Sequence, residues 1–121
     1  MKLSGIMLNS EDATKLAEFY TKVLGKPQWE MEGMFGYGDT ASSILIMNHS
    51  EVKGSNTTPA RIMLTFTVED PRAEFDRIKG LGATVVAEPY QPDKDKQPDI
   101  WLATLADPDG NYIQLSSPWS M

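Results

Sequence analysis

The chain alternates between two hydrophobic periods, and it does so twice. Residues 3–9, Leu-Ser-Gly-Ile-Met-Leu-Asn, read as a first strand. From Ala13 to Leu24 the period changes: Leu16, Phe19, Tyr20 and Val23 recur at helical spacing and form one buried stripe. Ser10-Glu11-Asp12 ahead of it supplies capping side chains and negative charge, and Gly25 stops it. In Gln28-Trp29-Glu30-Met31-Glu32 apolar and acidic residues alternate, which predicts a half-exposed strand with Trp29 and Met31 on one face. Gly33 breaks it. Met34 to Gly38 predicts another short strand, and Gly38-Asp39 a turn. Ser42 to Asn48 contains Ile44-Leu45-Ile46-Met47, a run that predicts a strand buried on both sides.

A polar stretch then interrupts the pattern. Residues 53–60 carry Lys-Gly-Ser-Asn-Thr-Thr-Pro without periodicity and read as a linker that tolerates change. After it the order restarts. Arg61 to Val68 predicts a strand. Asp70 and Pro71 predict an N-cap and first helical position, and the helix runs to about Leu81, with Phe75 and Ile78 inward and Gly82 as its stop. Thr84 to Ala87 and Ile100 to Leu105 predict strands around a charged loop from Gln91 to Pro98. Asp107-Pro108-Asp109-Gly110-Asn111 is a turn sequence leading into the strand Tyr112-Ile113-Gln114-Leu115, and Pro118-Trp119-Ser120-Met121 is a tail.

The order strand, helix, three strands therefore occurs twice. This divides one domain of residues 1–121 into a βαβββ module at 1–52, a linker at 53–60 and a second module at 61–121. The expected class is α+β: two tandem βαβββ modules forming a curved mixed sheet around a pocket.

Composition narrows the function. A chain of 121 residues can bury roughly two-thirds of its unfolded surface and needs no staples. With no cysteine it has neither disulfides nor thiolate metal sites, which fits a reducing compartment. No secretory leader and no run near the ~20 apolar residues of a membrane span is visible, so the expected location is cytoplasmic. Seventeen acidic against eleven basic residues give a net charge of −6, which argues against nucleic acid and is compatible with a neutral or cationic ligand. There is no nucleophile elbow and no glycine-rich phosphate cradle.

Glu18-Phe19-Tyr20-Thr21-Lys22-Val23-Leu24-Gly25 together with Asp107-Pro108-Asp109-Gly110-Asn111 resembles the vicinal oxygen chelate superfamily: the glyoxalase, bleomycin-resistance and extradiol-dioxygenase group. The resemblance spans essentially the whole chain. It implies paired modules around a concave pocket, a small-molecule ligand and a homodimer. Metal-dependent members place His and Glu on inward strand positions, and these positions fall here on Gly5, Leu45, Met63 and Gln114. None is a donor for a tight site, and the chain has one histidine, His49. The expectation is no metal and no cofactor.

The inward surface expected from strand parity carries Met7, Asn9, Met47, Met63, Thr65, Thr67, Tyr112, Gln114 and Ser116. It is bordered by Trp29 and Met31 or by Phe35 and Tyr37, with Trp101 on a facing strand. The proposed ligand contacts are stacking on Trp29, Phe35, Tyr37 and Trp101, fit against Met47 and Met63, and polar contacts from Asn9, Tyr112 and Gln114. No catalytic residue stands out; His49 and Tyr37 are the acid–base candidates. Three readings follow. The first is a metal-independent protein that binds and sequesters an aromatic or amphipathic molecule, with cationic drug-like compounds among the candidates, as in antibiotic resistance. The second is a glyoxalase-like lyase or isomerase using a non-standard metal site or His49 or tyrosine as acid–base. The third is an interaction module with a vestigial pocket.

Overall fold

The computed structural model describes residues 1–39 and 42–119; Ser120 and Met121 of the expected tail lie outside them. The chain divides into two compact units, Met1–Gly54 and Ser55–Met121. In the first, β1 (Gly5–Ser10) leads into α1 (Ala13–Leu24), followed by β2 (Trp29–Met31), β3 (Met34–Gly38) and β4 (Ser43–Asn48). In the second, a 3₁₀ turn at Pro59–Arg61 precedes β5 (Leu64–Thr67), α2 (Pro71–Gly80), β6 (Thr84–Tyr90), β7 (Leu102–Ala106) and β8 (Tyr112–Ser116). Each unit has its own four-stranded mixed sheet, ordered β1-β4-β3-β2 and β5-β8-β7-β6. In both, the last strand pairs in parallel with the first, and the helix makes the crossover that such pairing requires.

Both helices start where side chains replace missing backbone partners. Asp12 accepts from the Lys15 amide at 3.1 Å, and Asn48 reaches back from the end of β4 to accept from the Ala13 amide at 2.8 Å. Asp70 accepts from the amides of Arg72 and Ala73, with Pro71 at the first position as expected. Leu16, Phe19 and Tyr20 of α1 are buried and Val23 is half-buried. The Phe19 and Tyr20 rings meet edge to face at 5.2 Å. In the second unit Phe75 and Ile78 face a core of Leu64, Leu105, Ile113 and Leu115.

Several bounds differ from the sequence reading. The residues at 59–61 form a 3₁₀ turn, so the fifth strand begins at Leu64. The sixth strand continues to Tyr90 through Pro89, which an edge strand tolerates because that position has no ladder partner to lose. The fourth strand is fully buried only at Ile46; Leu45 and Met47, on its other face, are half-buried.

The turn before β8 is built on one carboxylate. Asp107 is buried, and its Oδ1 accepts from the amides of Asp109 (2.9 Å) and Asn111 (3.0 Å) while the Asn111 side chain donates to both oxygens. Gly110 has φ 82°, the left-handed conformation that lets the chain reverse. The segment read as a tolerant linker is tied to this turn: the Asn56 amide donates to Asp109 O at 2.8 Å, and its side chain donates to Asn111 Oδ1 at 3.0 Å.

Candidate functional site

Register decides which side chains share a face. In the first unit Asn9, Met47, Met34 and Met31 stand opposite one another across all four strands, β1 to β2. The neighbouring row is Met7, Leu45, Gly36 and Trp29. The Trp29 ring lies against Gly36, where a Cβ would be in ordinary contact with it at 3.4 Å. The opposite face carries Leu8, Ile46, Phe35 and Tyr37, which α1 covers. The methionine face has no helix of its unit against it. Met7 is 57% exposed, Met31 53% and Trp29 44%. Asn9 stands on the same face at the opposite edge of the sheet from Trp29 and Met31, and its Oδ1 is buried with no hydrogen-bond partner among the described residues.

Of the expected ligand contacts, this face brings together Asn9, Trp29 and Met47, and adds Met7, Met31 and Met34. Phe35 and Tyr37 are corrected to the other side. Phe35 lines a groove of about 590 Å³ with Ala17, Thr21, Lys22, Pro27 and Glu30. Tyr37 is 3% exposed; its hydroxyl donates to Ala17 O at 2.9 Å and lies 2.8 Å from Thr21 Oγ1. Burial, with a smaller contribution from nearby Glu30, raises its pKa above the ordinary tyrosine value, against the opposing effect of the Thr21 hydrogen bond. Tyr37 is thus a neutral tie between strand and helix at physiological pH. His49 is exposed in the turn after β4, and its Nδ1 accepts from the Glu51 amide at 3.1 Å.

The second unit's other face is different and partly buried: Thr104, Ala106 and Ser116 on it are buried. Thr65, Gln114, Thr104 and Ala87 form one row across its four strands. The Thr65 hydroxyl donates to Gln114 Oε1 at a long 3.4 Å. Tyr112, opposite Ala106, borders a shallow cleft with Thr58, Pro59 and Arg61. Met63 is half-buried just ahead of β5. Trp101 is corrected away from this face: Arg72 at the start of α2 lies 4.5 Å over its ring, a cation–π contact on the helix side. Ser116 is buried, accepting from Trp119 Nε1 at 2.7 Å and donating to Ser117 O.

The four positions at which metal-dependent relatives carry donors do not fit a divalent ion here. Gly5 has no donor, and a side chain on it would collide with the Ser43 hydroxyl and, at 2.7 Å, with the Ser43 carbonyl oxygen. Leu45 and Met63 offer no oxygen or nitrogen, and Gln114 offers one neutral oxygen already shared with Thr65. Among the described residues no group of three His, Cys, Asp or Glu is placed to hold an ion.

Two tandem βαβββ units, each a four-stranded mixed sheet with one helix, define the glyoxalase/bleomycin-resistance class of fold. The chain belongs to the glyoxalase-like domain family, whose match covers residues 5–116, and so to the vicinal oxygen chelate superfamily. Among solved structures it is similar to a glyoxalase/bleomycin resistance protein from Albidiferax ferrireducens (23% identity, 96% of this chain and 98% of that one, TM-score 0.74). It is similar too to a glyoxalase/bleomycin resistance protein/dioxygenase family enzyme from Burkholderia phytofirmans (20%, 97% and 98%, TM-score 0.76). A third is the genomically encoded fosfomycin resistance protein FosX from Listeria monocytogenes (16%, 98% and 94%, TM-score 0.73). At these identities the likeness is one of fold. No curated protein matches the chain. Among the described residues no helix is long and apolar enough to cross a membrane.

Proposed function

We propose that this protein binds a flat apolar or amphipathic small molecule on the methionine face of its first unit, with no resident divalent metal. The observation that carries the reading is the pair of cross-strand rows. They set an exposed indole and four thioethers on the same sheet face as Asn9, whose amide oxygen is buried and has no partner among the described residues. Indole supplies a stacking plane, thioethers adapt to irregular outlines, and the Asn9 carbonyl offers an acceptor to a ligand N–H or O–H. The net charge of −6 favours a cationic over an anionic ligand in the proposed drug-sequestering role. A homodimer is part of the proposal, supported by the extent of exposed apolar surface on the chain.

The test is fluorescence and thermal-shift titration with planar aromatic cations, in the wild type and in Trp29→Ala. Saturable one-to-one binding, weakened at least tenfold by Trp29→Ala and unaffected by chelator, supports the proposal. Binding that ignores Trp29→Ala would place the ligand elsewhere. Chemical turnover of a bound compound that His49→Ala abolishes would move the lyase or isomerase reading ahead.

A further inference from the structure

We propose that the thioether row of Met31, Met34 and Met47, with Met7 beside it, is a site for a soft monovalent d¹⁰ cation, Cu(I) or its analogue Ag(I). Met31 is paired with Met34 and Met34 with Met47, all on one sheet face. Side chains directly opposite across strands have Cβ atoms about 4.5–5.5 Å apart. An unbranched side chain with three rotatable bonds can swing its sulfur toward the central Met34 from either side. Met7 lies one row over, opposite Leu45 and diagonal to Met47, within reach of a long side chain.

Packing alone does not explain these residues. Methionine fills core gaps, yet Met7 and Met31 are more than half exposed and no helix of their unit covers them. Thioether sulfur is a soft, neutral donor that selects Cu(I) over the hard and borderline divalent ions. Among the described residues this sheet face presents no carboxylate or imidazole to favour the latter: Glu30 stands opposite Phe35 on the helix side, and His49 lies beyond the end of β4. The chain has no cysteine to compete as a stronger soft ligand. Trp29, in the adjacent row, places an indole beside the row, where a bound cation would meet its π face and quench its emission.

This site does not depend on the organic-ligand reading, and the two can fail separately. The experiment is an anaerobic Cu(I) titration of the full chain against bicinchoninate, with Ag(I) calorimetry as a second measurement. One equivalent is expected to bind. Met34→Leu is expected to weaken binding at least tenfold, and Met31→Leu/Met47→Leu to abolish it. Leucine conserves volume and apolar area, so these variants keep the fold, read as a metal-free thermal midpoint close to that of the wild type. Trp29→Phe should keep the stoichiometry and lose the Ag(I)-induced quenching. Prior treatment with peroxide, which transfers one oxygen to each exposed thioether and leaves water, should also abolish uptake. The proposal is overturned if no equivalent is taken from bicinchoninate and Ag(I) gives no heat. Wild-type binding by the Met31→Leu/Met47→Leu variant, or Zn(II) binding as strong as Ag(I), overturns it too.

Discussion

At Tyr37 one hydroxyl joins a strand to a helix, and its chemistry sets two expectations. Tyr37→Phe removes the donor to Ala17 O and the partner of Thr21. Loss of a buried hydrogen bond should cost about 1 kcal/mol, read as a lower urea midpoint. The same residue shapes alkaline stability. Its folded pKa lies above the unfolded value of 10.0, so the folded state holds the proton longer. The resulting contribution is fully present below pH 10 and is lost as pH rises through the folded pKa. Wild type should therefore lose stability above pH 10, and Tyr37→Phe should lose less, as chemical denaturation at successive pH values would reveal. Asn9 is the opposite case. Its Oδ1 is buried without a partner, so Asn9→Val should leave stability unchanged or raise it while weakening ligand binding. A thermal midpoint that fell by several degrees would show that Asn9 serves the fold instead.

At the scale of elements, the most sensitive piece is the turn from Asp107 to Asn111. Three donor groups converge on the Asp107 carboxylate, and Asn56 ties itself to the same turn through Asp109 and Asn111. Asp107→Ala should cost about 2–3 kcal/mol in an unfolding titration, because hydrogen bonds to a charged acceptor are lost together. Asp70→Ala, which removes one cap, should cost only about 1 kcal/mol. This turn and α1 also show what the sequence could reveal. Helical spacing, capping residues and turn glycines are local, and they placed α1 at its observed bounds and Asp70 at its cap. Sheet faces are not local. Met-Phe-Gly-Tyr-Gly is apolar on both parities, so only its register against β4 decides that Phe35 and Tyr37 turn to the helix. Trp101 lies just ahead of its strand, and Arg72, far away in sequence, fixes its side. Asn56 sat in a polar stretch whose partner is a distant turn, which no local pattern betrays.

For the whole molecule, the donor chemistry and the exposed surface make two predictions. A chelator should leave the thermal midpoint unshifted, since no divalent ion is expected to contribute to folding. Light scattering should give twice the 13.4 kDa chain mass; a single-chain mass at micromolar concentration would remove the dimer from the proposal. Each sheet also places its last-made strand inside, next to its first. This order carries a cost during synthesis. A ribosome working at about 5–20 residues per second takes roughly 2 to 10 s to travel from Leu64 to its partner Ile113. For that interval the nascent β5 has a bare edge on the side its neighbour will fill, and the same holds for β1 until β4 emerges. Slow translation would lengthen the exposure, so expression yield should respond to codon choice between positions 64 and 113 while the finished protein stays the same.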